Sequence, residues 1–160
     1  MNKYELLSNF DLVDLGQMMG LNINVVAKDK LMGTNYKNNI INLDDFGNGG
    51  THWVALFITG SNAVYFDSFG QRPPLSVIQY CKGKKLIFSD YIVQNLVQSA
   101  CGYYCLAFLH FMNFTKHPNI RYKLNNFIKP FDLDNRPRAS EHTRIVPFKL
   151  TSTTCEKTRG

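Results

Sequence analysis

At 160 residues the chain has the length of a single domain, and a domain of this size buries about 70% of its unfolded surface, enough for a core without staples. Four cysteines at irregular positions (Cys81, Cys101, Cys105 and Cys155) and an opening stretch with early acidic residues argue against a secreted disulfide framework, a signal peptide or a membrane span. The net charge of +6 permits attraction to polyanions, but the basic residues are scattered and their densest group, Lys82-Gly83-Lys84-Lys85, is short.

In chain order, Ser8 or Asn9 can cap an amphipathic outer helix whose apolar positions are Phe10, Val13 and Met18, with Leu12 and Leu15, until Gly20 stops it. Asn22–Ala27 reads as a short strand, Lys30–Tyr36 as turns, and Asn39–Leu43 as a second strand leading into the loop 44–50. Two apolar runs, Thr51–Thr59 and Ala63–Asp67, flank a short Gly60-containing turn and predict an antiparallel hairpin. That hairpin brings His52 and Asp67 to one end of the sheet, while the turn register, which decides whether they share a face, stays open.

After the loop at 68–73, Pro74–Cys81 reads as a short helix with proline in its first turn, and Lys85–Phe88 and Tyr91–Val93 as strands. The stretch from Gln94 to Asn113 follows. From Ala100 onward its only markedly polar side chains are His110 and Asn113, which predicts a helix buried on nearly all sides at the centre of the domain. Pro118–Lys129 predicts another helix packing through Ile120, Leu124, Phe127 and Ile128. Beyond Asp132 the chain is polar, so a domain over 1–150 and a loosely held tail over 151–160 are expected.

The chemistry centres on Cys101. A thiol in the first turn of a helix feels unpaired backbone N–H groups and the positive end of the helix dipole, which favour thiolate. Gly102 would leave space beside the sulfur for another backbone to approach. A thiolate nucleophile needs an imidazole to move its proton and an acceptor to orient that imidazole, and His52 and Asp67 are the candidates. A side-chain amide near the nucleophile can stabilise an oxyanion; Gln94 and Gln98 compete for that role. Taken singly, these residues have plainer readings: His52 as a strand histidine, Asp67 as a turn residue, Gln94 as an edge amide, and Cys105 as core. Cys101, Cys105 and His110 lie along one helix at spacings that do not converge on a metal, and neither metal nor organic cofactor is expected.

The ordered set Gly50-Thr51-His52-Trp53, Phe66-Asp67-Ser68-Phe69-Gly70 and Gln94 seven positions before Cys101-Gly102-Tyr103-Tyr104-Cys105 resembles the adenovirus-type (adenain-like) cysteine proteases, within the wider clan of ubiquitin-like-protein proteases. Leu31-Met32-Gly33-Thr34 resembles a Leu-Gly-Thr segment of the same family, so the likeness covers roughly Asp11 to Asn113. It implies an α+β fold with a mostly antiparallel central sheet packed on the buried nucleophile helix, flanked by other helices. It further implies Cys101 as nucleophile, His52 as general base and acid, Asp67 as the orienting acid, and Gln94 with the Cys101 backbone N–H as oxyanion donors. Gly50, Trp53 and Gly102 become candidates for substrate binding, with the glycine-rich loop before His52 approaching the cleft.

One departure is Asp67, where the adenovirus enzymes usually carry glutamate; Asp followed by Ser is the pattern of the ubiquitin-like-protein proteases. Those relatives usually place the glutamine six positions before the cysteine, where this chain has Asn95. The viral branch therefore implies a monomeric endopeptidase that cleaves virion precursor polypeptides beside glycine, in the virion and the host nucleus or cytoplasm. It also implies a peptide activator, for which Cys81 is the nearest candidate thiol, and non-specific DNA as partners, with no membrane. The competing readings are an isopeptidase for ubiquitin-like modifiers, a non-catalytic capsid protein on a decayed protease fold, and a basic DNA-binding module.

Overall fold

The computed structural model describes residues 6–33, 36–44, 52–94, 100–131 and 142–147. Its centre is the hairpin of β3 (Trp53–Thr59) and β4 (Asn62–Phe66), which pair antiparallel from Thr59 opposite Asn62 to Ala55 opposite Phe66. Gly60 makes the turn with φ of +55°, a conformation that costs glycine little. Successive side chains alternate between two apolar clusters. Ala55, Phe57, Val64 and Phe66 belong to one, and Val54, Leu56, Ile58, Ala63 and Tyr65 to the other. Both faces of the sheet are covered, which is why these strands read as continuous apolar runs and not as an alternating pattern.

Among the described residues six strands form one α+β sheet in the order β1-β2-β3-β4-β5-β6. β2 (Asn38–Asn42) runs antiparallel to β3, while β1 (Asn24–Ala27) runs parallel to β2. On the other side β5 (Lys85–Ser89) is parallel to β4, and β6 (Thr143–Ile145) is antiparallel to β5. The sheet is therefore mixed, where a mostly antiparallel one was expected. The reason lies in the connections: the chain between β4 and β5 carries α2 (Leu75–Tyr80), and a crossover of that kind returns the chain in the same direction.

One face of the sheet holds α3 (Cys101–Phe114), whose Cys105, Phe108, Leu109 and Met112 pack with Ala55, Phe57, Phe66 and Ile87. α3 is less uniformly covered than its composition suggests, because Tyr103, Ala107, His110 and Phe114 form an exposed stripe. α4 (Ile120–Ile128) is capped by Asn119 and buries Leu124, Phe127 and Ile128 as its spacing predicts. It also buries Lys123, whose ammonium donates to the Met112 carbonyl near the end of α3. The opposite face is closed by α2 through Val77 and Ile78. Among the described residues no helix is long and apolar enough to cross a membrane.

α1 (Asn9–Met18) is capped by Ser8, whose hydroxyl accepts from the Asp11 N–H while the Asp11 carboxylate accepts from the Ser8 N–H. Its buried face is only in part the one expected: Leu12 is fully buried and Leu15 packs against the core. Phe10 and Met18 are 74% and 83% exposed, and the helix packs through Leu12 and Gly16, because Ile23 lies against Gly16 where a side chain would collide with it. Tyr91–Val93 is not a strand; the N–H groups of Val93 and Gln94 both donate to the Ser68 carbonyl. β6 falls in the polar stretch beyond Asp132, for which no element was predicted, and the tail 151–160 lies outside the described residues.

Phe108 joins the sheet to both major helices, with its ring stacked 5.0 Å from Phe66 and edge-on 5.4 Å from Phe127. Phe108→Ala should lower unfolding free energy by about 3–5 kcal/mol in a denaturant titration. A loss below about 1 kcal/mol would contradict this packing.

Candidate active site

His52 precedes β3 and Asp67 follows β4, so the hairpin delivers them to one end of the sheet. A turn follows in which the Gly70 N–H donates to the Asp67 carbonyl and Gly70 takes φ of +67°. The Asp67 side chain folds back into that turn, and its Oδ1 accepts the Phe69 N–H at 2.8 Å. The same oxygen accepts from His52 Nε2 at 2.7 Å. The Phe69 ring stacks on the imidazole at 4.4 Å with 17° between planes. Asp67 is buried, with the second oxygen, Oδ2, bonded to no group among the described residues. Two features therefore fix the imidazole: its hydrogen bond to Asp67 and the aromatic face of Phe69.

Donation to Asp67 places the proton on Nε2 and leaves Nδ1 as the ring nitrogen not bonded to the carboxylate. Nδ1 is itself buried and has no hydrogen-bond partner among the described residues. Cys101 opens α3, next to the cap residue Ala100, and its side chain is buried. Burial works to raise its pKa, but interaction with His52 and with the backbone N–H groups of Trp53 and Gly102 outweighs burial, and the thiol is held below its ordinary value. For His52, burial works downward and is overcome by the Asp67 hydrogen bond and the Cys101 sulfur, which raise its pKa to about 9. The two shifts point the same way, toward thiolate at Cys101 and imidazolium at His52. Neither other described cysteine behaves this way: burial pushes Cys105 well above the thiol range, and pushes Cys81 up to about 12 despite Lys84.

Gln94 is buried, and its Oε1 accepts the Ser68 hydroxyl at 2.6 Å while its backbone N–H donates to the Ser68 carbonyl at 2.9 Å. Ser68, itself buried beside Asp67, thereby ties Gln94 to the turn that holds the imidazole. Residues 95–99, including Gln98, and Gly50 lie outside the described residues.

The other candidates sit elsewhere. The Trp53 indole is 6% exposed and donates to the Leu7 carbonyl at 3.0 Å, so its ring belongs to the core and only its backbone N–H faces the sulfur. A Cβ on Gly102 would lie 3.2 Å from both Leu7 and Leu12, so the space beside it admits the N-terminal segment and not an approaching substrate backbone. Cys81 is buried in the cluster on the α2 face, across the sheet from Cys101. Among the described residues no group of three or more His, Cys, Asp or Glu side chains could hold a metal ion. Phe69 and Ser68, not singled out from sequence, sit within the Asp-Ser-Phe-Gly motif that carries Asp67. No protein-family model matches the chain, and no curated protein does.

The imidazolium form of His52 contributes stability that is fully present below pH 6.5, the ordinary value, and is lost as pH rises through about 9. In NMR titrations the His52 ring should titrate near pH 9. Asp67→Asn removes the main upward influence and leaves burial opposed only by Cys101, so the midpoint should fall from about 9 toward 6.5. A midpoint near 6.5 in both proteins would contradict the pairing.

Proposed function

We propose that the chain is a cysteine endopeptidase working through Cys101, His52 and Asp67. The observation that carries this reading is the buried carboxylate 2.7 Å from His52 Nε2, together with a buried Cys101 at the start of α3 whose pKa is lowered by His52. A core cysteine or a strand histidine needs no such arrangement.

In the reaction the Cys101 thiolate attacks the scissile carbonyl carbon, forming a C–S bond as the carbonyl π electrons move to oxygen. Cys101 starts α3, so its backbone N–H has no intrahelical acceptor and can donate to that oxyanion with the Gln94 amide. His52 gives its Nδ1 proton to the leaving nitrogen as the C–N bond breaks, leaving a thioester. Water then attacks the thioester, His52 takes its proton, and the thiolate leaves. Asp67 stays ionised throughout, holding the imidazole in one tautomer and balancing its charge.

The substrates we assign are extended polypeptides cut beside glycine, a residue whose missing side chain lets the chain lie in a narrow cleft. The likeness of the His52, Asp67 and Gln94–Cys101 motifs to the adenovirus-type enzymes points to virion precursor polypeptides, and the net charge of +6 is compatible with a DNA partner.

Cys101→Ala should abolish cleavage of a glycine-containing peptide while leaving the thermal midpoint near that of the intact protein. The kcat/KM profile should be bell-shaped, rising through a Cys101 pKa below 9.0 and falling as His52 loses its proton near pH 9. Activity in Cys101→Ala, or a rate that only rises with pH, would refute the mechanism. A polyanion should alter the rate at low salt and lose its effect at high salt; an effect independent of salt would count against the DNA partner.

A further inference from the structure

We propose that β6, acting through Asp90, is a latch that positions Gln94 for oxyanion stabilisation; this deepens the endopeptidase reading and rests on it. Asp90 and Tyr91 form the corner at which the chain leaves β5 and heads for Gln94, four residues on. On one side, β6 holds that corner. His142 Nδ1 lies 2.6 Å from Asp90 Oδ1, Arg144 Nε lies 3.1 Å from Asp90 Oδ2, and the Asp90 N–H donates to the His142 carbonyl at 2.9 Å. The Tyr91 ring meets the His142 ring edge-on at 5.1 Å, and its hydroxyl donates to the Phe131 carbonyl after α4. β6 is tied in turn to α4, where Thr143 Oγ1 bonds Asn125 Oδ1 at 2.5 Å.

On the other side, the Asp67–Gly70 turn presses directly on the corner. A Cβ at Gly70 would lie 2.6 Å from the Asp90 carbonyl oxygen, a contact that only glycine permits, at a φ that also favours glycine. Ser68, in that same turn, holds Gln94 by backbone and side chain. The corner is thus clamped between the C-terminal strand and the turn that carries the catalytic acid, and Gln94 hangs from it.

Stability alone does not account for the clamp. Asp90, His142 and Arg144 side chains are 33%, 24% and 49% exposed, and ion pairs at such exposure add little to global stability. Fixing the direction in which the backbone leaves β5 is what they can do. A donor displaced by about 1 Å can cost up to about 100-fold in rate. Asp90 and His142 are positioning residues in this scheme, because neither touches substrate.

The test uses the full chain carrying Asp90→Ala or His142→Ala, each alone and combined with Gln94→Ala. Peptide cleavage forms an oxyanion, whereas alkylation of Cys101 by iodoacetamide is a displacement at carbon that forms none. Both latch variants should lower kcat by about 10-fold or more, with KM and the Cys101 alkylation rate held within about twofold. Each double variant should be no slower than Gln94→Ala alone, because the latch acts through that side chain. Unchanged kcat, a parallel fall in alkylation, or losses that multiply in the double variants would each overturn the latch. If Asp90→Ala does not fold, His142→Ala, which removes only a part-exposed ring, is decisive by the same readings. An intact protein that cleaves no peptide would overturn the endopeptidase reading, and the latch with it; an active intact protein with indifferent variants overturns the latch alone.

Discussion

A buried carboxylate bonded to an imidazole is the constraint from which the rest of this structure follows. Asp67 is removed from water, and one of its oxygens accepts from both His52 and the Phe69 backbone. Burying an anion is costly unless hydrogen bonds compensate, so the turn that supplies them has little freedom to vary. Gly70 provides the positive φ that closes the turn, Phe69 provides the N–H and the ring that covers the imidazole, and Ser68 reaches outward to Gln94. Four consecutive residues thereby set the acid, the orientation of the base and the anchor of the amide.

The sheet and α3 place this turn opposite the thiol. The Trp53 side chain fixes the N-terminal segment through Leu7, and Leu7 packs with Leu12 against Gly102 at the start of α3. The same residue therefore begins the central strand, donates its backbone N–H to the sulfur and secures the nucleophile helix from behind. Phe66, Phe108 and Phe127 bind sheet, α3 and α4 into one apolar layer. Under the proposed mechanism the rigidity of that layer would matter chemically, because proton transfer between Cys101 and His52 would depend on their separation.

Much of this was legible in the sequence where local physics decides. The β3–β4 hairpin has two apolar runs and a glycine turn, and its geometry alone predicts that His52 and Asp67 share an end. α3 and α4 were legible from their apolar spacing. Strand direction was not, because it is decided by how crossovers return the chain and not by the composition of a strand. β6 has three residues, two of them polar, and so carries no periodic signal. Tyr91–Val93 looks like a strand by composition, but the Tyr91 N–H donates to the Ser89 hydroxyl and the Val93 N–H to the Ser68 carbonyl in place of a ladder. In α1 the apolar Phe10 and Met18 lie on the exposed side, while a glycine, invisible to apolar counting, makes the contact. Within the site, residue types marked Cys101, His52 and Asp67, whereas the inward roles of Trp53 and Gly102 depend on Leu7, far away in sequence.

The central claim is that His52 makes Cys101 a nucleophile, and the rate of Cys101 alkylation against pH, compared between the intact protein and His52→Ala, tests it most directly. The expected midpoint lies below the ordinary thiol value of 9.0 in the intact protein and rises once the imidazole is removed, when only the Trp53 and Gly102 backbone N–H groups oppose burial of the sulfur. A midpoint at or above the ordinary value in the intact protein, unmoved by His52→Ala, would mean that Cys101 is a core thiol and the site is not a catalytic one.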